Sequence, residues 1–288
     1  MALTVPSYRA ELPGLTVIIP TWHEKACLHE LLADLQRQVG LTLEIIVVDG
    51  GSRSLNQEQA AFPGVHWLNS ARGRGVQMNT GAQHATCEEL LFLHADSRLH
   101  TENLLQQAYL TMEKRRAQCH PVPIAGHFSI QFRRQKPGAE LAYRFYEKKS
   151  QLNRPECYNG DQGLWLSRSF FQQLGGFDQR FSFLEDRQMA IQIRQKGMLI
   201  TLPGSISTSA RRFEQEGLAR RQILNALILA CLAIGFQEFL FLAPELYKSQ
   251  EQTERLNLMP YVQLLHRLNQ QAGWKVALRF GSLFFFWI

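Results

Sequence analysis

The sequence predicts an α/β fold: a Rossmann-like, mixed but mainly parallel sheet flanked by helices, with a helical C-terminal extension. Three observations carry that expectation. Short apolar, β-branched runs alternate with segments of helical periodicity. The first strand, helix and strand fit within about thirty-five residues, the length of one βαβ unit. After Arg220 the composition shifts to a nearly all-apolar run.

The elements follow in order. Leu15 to Pro20 (LTVIIP) reads as a buried strand ended by proline. Leu28, Leu31, Leu32, Leu35 and Val39 then recur at helical spacing, with Gly40 as the stop. A second buried strand, Leu43 to Val48, runs into Asp49-Gly50-Gly51-Ser52. Val65 to Leu68 is a short strand, Val76 to Ala85 a helix, and Glu89 to His94 (ELLFLH) a further buried strand that leads into Ala95-Asp96-Ser97. Right-handed crossovers between such units build a parallel sheet covered on both faces. In sheets of this kind ligands bind outside the carboxyl ends of the strands, so the loops opening at Pro20, Asp49 and His94 share one rim. A polar helix from Thr101 to Gln118 follows, then a period-two strand from Gly126 to Phe132 that makes the sheet mixed. A helix through Glu140 to Gln151, a strand at Gly163 to Leu166 and a helix from Glu185 to Gln195 carry the chain to Ile206.

With 288 residues, 45% hydrophobic and 19% charged, the chain is expected to be folded rather than disordered. The net charge is +6, and basic residues cluster at Arg72/Arg74, Arg133/Arg134, Lys148/Lys149 and Arg211/Arg212. Such clusters belong to solvated surfaces, or face a diphosphate or an anionic membrane. No zinc-finger spacing or aromatic-basic RNA signature accompanies them, so nucleic acid is not an expected partner. Five scattered cysteines without a C-x-x-C pair suit a reducing compartment better than a disulfide framework. Met1 to Gly14 lacks a signal-peptide pattern, which makes the cytoplasm the default location, with the inner face of the plasma membrane as a variant. Ile223 to Leu242 is interrupted by Asn225, Gln237 and Glu238, which favours a buried or membrane-surface helical hairpin over a span. The aromatic end, Phe284 to Ile288, is read as a homodimer contact, a peripheral membrane toe-hold or a truncation scar. The expected organisation is an N-terminal extension (1–14), an α/β domain (15–212) and a helical, partly apolar region (213–288).

Several residues can carry chemistry. Asp49 ends a strand and precedes two glycines, a position for holding a nucleotide base or ribose and equally for a plain Asx turn. Asp96 occupies the equivalent place after the next buried strand. A hard oxygen ligand there suits Mg²⁺ or Mn²⁺, which neutralises a diphosphate leaving group. His94 is either a second ligand or a satisfied polar residue. In Arg72-Gly73-Arg74-Gly75, two guanidiniums at a helix start can meet one anion, with Arg72 as the phosphate candidate. Glu185 and Asp186 begin a helix; one acid complements the dipole, and the second is available as a general base.

Taken in order, Pro20-Thr21-Trp22-His23-Glu24, Val48-Asp49-Gly50-Gly51-Ser52, Arg72-Gly73-Arg74-Gly75, His94-Ala95-Asp96, Gly160-Asp161-Gln162-Gly163 and Glu185-Asp186 resemble the family-2 glycosyltransferases of GT-A fold. The resemblance covers Leu15 to Arg212. It is strongest to a bacterial subgroup with a His-Ala-Asp metal motif and a downstream Ser-x-Arg-Arg, here Ser209-Ala210-Arg211-Arg212, some of whose members are named for arsenosugar biosynthesis. Many relatives have asparagine in place of His23 and Asp-x-Asp in place of His94-Ala95-Asp96. The resemblance implies an inverting transfer from a nucleotide-sugar donor, UDP-linked, to an acceptor hydroxyl. It places Pro20, Thr21, Glu24, Asp49 and Arg72 on the nucleotide, Asp96 on the metal, and Asp186 as base beside Glu185. Asp161 and Gln162 fall where acceptor and donor sugar meet, and Arg211 and Arg212 near the diphosphate. The enzymatic alternative is a nucleotidyltransferase acting on sugar phosphates, although Pro20 to Glu24 lacks the glycine-rich loop with lysine that such an enzyme normally carries; a dinucleotide enzyme fails on the same loop, which has no G-x-G-x-x-G. A non-catalytic, membrane-associated binding protein on the same fold is the other alternative.

Overall fold

Strand β1 (Gly14–Thr21) is buried at every residue after its first, as a central parallel strand must be, which explains its unbroken apolar run. The computed structural model describes residues 12–51, 60–154, 157–180, 184–246 and 255–272. The expected N-terminal extension as far as residue 11, Ser52, the end of the aromatic stretch before Leu184, and the Phe284–Ile288 tail lie outside those residues. Helix α1 (Lys25–Gln36) buries Leu28, Leu31, Leu32 and Leu35 on one face. It ends before Val39, which the apolar spacing had included; Val39 is 50% exposed and its N–H donates to the Glu102 carbonyl.

The alternation continues with β2 (Thr42–Asp49), β3 (Val65–Asn69), α2 (Arg74–His84), β4 (Glu89–Phe92), β5 (Arg98–Leu99), α3 (Leu104–Cys119), β6 (Ile124–Arg133) and α4 (Glu140–Ser150). Next come β7 (Leu164–Ser167), α5 (Arg168–Leu174), α6 (Glu185–Lys196) and β8 (Met198–Ser209). The eight strands form one sheet in the order β3-β2-β1-β4-β7-β6-β8-β5. β3, β2, β1 and β4 run parallel, β7 is antiparallel to both its neighbours, β6 and β8 pair in parallel, and β5 closes the edge antiparallel to β8. The expected mixed, mainly parallel sheet is therefore present. Successive residues of β1 serve opposite faces: Val17 and Ile19 pack with the α1 leucines, Phe128 and Trp165, while Ile18 packs with Met78, Phe92 and Phe170.

β8 is the longest strand, yet the sequence pattern does not announce it, because Pro203-Gly204 interrupts its run. The pairing with β6 absorbs that break. The register steps from His127 opposite Thr201 to Ser129 opposite Ser205, with Gly204 at φ +78° and the Ser129 hydroxyl donating to the Gly204 carbonyl.

Beyond β8 lie α7 (Arg211–Glu216), α8 (Leu218–Ala233), α9 (Gln237–Leu242) and α10 (Met259–Ala272). The apolar run read as one hairpin breaks between α8 and α9, where Gly235 takes φ +71°. Leu224, Ile228 and Cys231 of α8 join Phe239, Tyr261 and Leu264 in a separate core, against which Leu184 packs. Among the described residues, no helix is long and apolar enough to cross a membrane.

Candidate active site

The carboxyl ends of β1, β2, β4, β6 and β8 open on one rim, because these strands share a direction. Thr21 and Asp49 are direct register partners at the ends of β1 and β2, with Pro20 one step inside. Both are buried, and Gln77 of α2 ties their loops together by donating to the Thr21 and Val48 carbonyls, each at 2.8 Å. Trp22 follows at once, and the Arg72 guanidinium lies over its ring, 3.6 Å from the centroid. A Cβ on Gly50 would be in ordinary contact with Trp22 and Gln77 at 3.4 Å and the Arg72 backbone at 3.5 Å, so three loops close up around this residue. Asp49, Trp22 and Arg72 thus form one wall. His23 beside it adopts φ +58°, an uncommon conformation for a non-glycine residue and one that concentrates at ligand-binding loops.

The second wall is ionic. Arg74, the first residue of α2, places Nε 2.7 Å from Oε1 of Glu185, whose side chain is 1% exposed. Its Nη1 lies 3.3 Å from His94 Nε2. A guanidinium has only N–H to offer, so His94 Nε2 is the acceptor and Nδ1 carries the proton toward Asp161 Oδ1 at 3.0 Å. Glu185, Arg74, His94 and Asp161 are therefore linked in series. Both ring nitrogens of His94 are thus engaged.

Asp186 completes this wall. A Cβ built on Gly160 would fall 1.9 Å from Asp186 Oδ2 and 3.0 Å from His94 Nε2, so the carboxylate rests on the bare Cα of Gly160. Its other oxygen accepts from the Arg187 N–H at 2.7 Å. Burial pushes the Glu185 carboxyl up in pKa despite Arg74. Burial also opposes ionisation of Asp161, but the His94 hydrogen bond, with Arg74 and Arg212, outweighs it and holds Asp161 down to about 2. Tyr158 is fully buried beside these acids; burial first, then the charges of Asp186, Glu185 and Asp161, push its hydroxyl well above the usual tyrosine range.

Asp96 sits across the mouth. Its Oδ2 lies 3.3 Å from the Thr208 hydroxyl and 3.4 Å from the Ser209 N–H, and its carbonyl accepts from Arg133 at 2.8 Å. Arg211 and Arg212 follow Ser209 at the end of β8. Glu24 is close enough to act on both Arg74 and Cys27, and Asp96 also acts on Cys27, so the three loops face one another. Among the described residues, no three His, Cys, Asp or Glu side chains gather around a point as a closed metal site would require. The donor set fits the other type, in which one carboxylate holds a hard divalent cation together with substrate phosphates. The long contacts to Asp96 Oδ2 leave that carboxylate weakly held and able to ligate.

The residues read from sequence therefore fall into groups. Thr21, Asp49 and Arg72 line one wall, Asp161, Glu185 and Asp186 the other, and Asp96 lies by Arg211 and Arg212. Gln162 differs: it is fully buried, its amide donating to the Ser150 carbonyl and accepting from the Asn159 N–H, so it braces the turn that presents Asp161. The Arg-Gly-Arg-Gly run also differs from expectation, because its two guanidiniums part company rather than meeting one anion. Sequence reading passed over Trp22, Tyr158 and Gly160. The signals were an aromatic directly after a strand-ending Pro-Thr, and a Tyr-Asn-Gly turn before Asp161.

Residues 16–175 match the family described as glycosyl transferase family 2. The chain belongs to that family. The chain is 28% identical over 200 aligned positions to N-acetylgalactosaminyltransferase 6 of Drosophila melanogaster, covering 60% of this chain and 30% of that protein. Among solved structures it resembles the mannosyltransferase PcManGT from Pyrobaculum calidifontis in complex with GDP-Man and Mn²⁺, with a TM-score of 0.50 and 20% identity over 69% of this chain and 57% of that one. S. aureus TarS 1–349 in complex with UDP-GlcNAc is similar too, with a TM-score of 0.51 and 14% identity over 68% and 58% of the two chains. These likenesses establish a GT-A-like sheet with flanking helices. The chain spans under a third of the curated relative and under two thirds of each solved one.

Proposed function

We propose that the transferase moves a sugar, with inversion, from a nucleoside diphosphate donor, UDP-linked, to an acceptor hydroxyl. One observation carries this reading: of two adjacent acids, Glu185 is consumed by a buried ion pair, while Asp186 is only half-buried and rests at the cleft on Gly160. Asp186 takes the acceptor's proton as the acceptor oxygen attacks the anomeric carbon; the bond to the diphosphate breaks, and its electron pair leaves with the phosphate oxygen. Asp96 holds Mn²⁺ or Mg²⁺, which when bound neutralises the charge on the departing diphosphate. Arg211 and Arg212 add positive charge beside it, and Arg212 already acts on Asp161. Asp49 and Thr21 bind the nucleoside, with Pro20 and Glu24 bounding its pocket, and the Trp22–Arg72 stack offers a flat face to the base. Asp161, held ionised by His94, faces the sugar or acceptor. The donors named with the two solved neighbours, GDP-Man and UDP-GlcNAc, support a nucleotide-sugar substrate, and the Mn²⁺ of the first supports the metal. The His-Ala-Asp and Ser-x-Arg-Arg motifs support placement in the bacterial subgroup that carries them.

Replacing Asp186 by Asn tests the assignment. Transfer should fall by roughly 10²–10⁴-fold, the usual contribution of a general base. UDP should still raise the melting temperature of the variant as it does that of the parent. Undiminished transfer by Asp186→Asn would remove Asp186 from the mechanism.

A further inference from the structure

Helix α4 turns an unusual face outward. Leu141 is 82% exposed, Phe145 61% and Leu152 47%, although each is apolar and ordinarily buried at least in part. Positions 141, 144, 145 and 148 follow one helical stripe, with Arg144 and Lys148 exposed on it, and Leu152 lies two residues past the end of the helix. The two acids of the helix are both engaged. Glu147 turns inward to accept from the Phe132 N–H at 2.9 Å, and Glu140, half-exposed at the helix start, caps the Gly138 N–H at 2.9 Å and pairs with Arg134 at 3.3 Å. The outward stripe therefore presents apolar side chains and cations, with the acid at its start neutralised by Arg134. Half-buried Tyr146, its ring 5.3 Å from that of Phe145, adds an aromatic of the amphipathic kind that settles at membrane interfaces.

We infer that this face of α4 is a peripheral docking surface for an anionic phospholipid bilayer, lying in the plane of the headgroups with Leu141, Phe145 and Leu152 inserted. Charge selects this occupant: apolar side chains interleaved with cations fit acyl chains under acidic headgroups, while a second copy of the face would set like charges against each other. Position supports it. The helix begins a short turn after Arg133, the end of β6, whose guanidinium bonds the Asp96 carbonyl at the rim. Docking by α4 therefore brings the cleft mouth beside the membrane surface. The inference does not depend on the donor or on the chemistry assigned to Asp186.

Vesicle sedimentation of the full chain tests it. The protein should pellet with vesicles of phosphatidylcholine plus phosphatidylglycerol, not with phosphatidylcholine alone, and added salt should release it. Leu141→Ser with Phe145→Ser should weaken the partitioning by roughly tenfold or more, and Arg144→Glu with Lys148→Glu by a similar factor. Both pairs should keep the parental melting temperature and the UDP response, because all four side chains are exposed. No pelleting by the parent, pelleting unchanged by either pair, or a dimer dissolved by the same substitutions in a protein that ignores vesicles would each overturn the inference.

Discussion

Gly160 has no side chain, and the site is built around that absence. The Asp186 carboxylate occupies the volume that a methyl group would take, 1.9 Å from the ideal Cβ position. Gly160→Ala should displace Asp186 and lower kcat by roughly 10²-fold, since misplacing a reacting group by an ångström costs about that much. Donor KM should change little, and a kcat equal to the parent's would show that the carboxylate can work from elsewhere. Asp161 makes a second prediction. Its folded pKa, about 2, lies below the 3.8 of an unperturbed aspartate. The stabilisation is thus complete above the unperturbed value and is lost as pH falls from there through the folded one. The side chain is 38% exposed, so solvent screening limits the effect to about 1 kcal/mol. Asp161→Asn should flatten that part of the acid unfolding curve, as read by circular dichroism at fixed urea. A slope unchanged in the variant would mean that His94 does not hold Asp161 ionised in the fold.

At the scale of elements, an ion pair buried on its carboxylate side joins α2 to α6. Arg74 comes from the first and Glu185 from the second, and neither pairing nor burial is visible in the spacing of either helix. Removing the arginine would strand a carboxylate that is 1% exposed. Arg74→Met should cost about 1–3 kcal/mol in urea unfolding, the penalty of leaving a buried acceptor without its partner, whereas Arg74→Met with Glu185→Leu should recover most of it. Additive losses in the double variant would show that the two side chains do not act as a pair. The strands were legible from their apolar runs as far as β4, since strands buried on both faces need little else. β8 was not, because Pro203-Gly204 breaks its pattern and only the register shift opposite Ser129 makes room for them. β5, two residues long, has no periodicity to read.

Across the whole molecule, the segments after β1, β2, β3, β4 and β8, the Gly160–Gln162 turn and the starts of α2 and α6 meet at one rim, and ligand binding should tie them together. A ligand bound only by the folded state raises stability by about 2.7 kcal/mol at a hundredfold excess over its Kd, or roughly 5 °C in Tm for a chain of this size. UDP with Mn²⁺ should exceed the shift from UDP alone, and chelation should abolish the difference. Asp96→Asn should respond to UDP but not to the added ion. An ion-dependent shift that survives in this variant would place the metal elsewhere.

What the sequence determined by itself was the run of strands and helices other than β5, α5 and β8, the rim where loops gather, the acids on it and, through the ordered motifs, the resemblance to family-2 transferases. Apolar periodicity and strand-end carboxylates are local properties, and local properties survive in a linear reading. Tertiary structure alone decided which of two adjacent acids faces the cleft, which of two arginines turns inward, and that Gln162 braces rather than binds. Those outcomes turn on which side chains approach from elsewhere in the chain, and ionic partners and close contacts of that kind leave no period in the sequence.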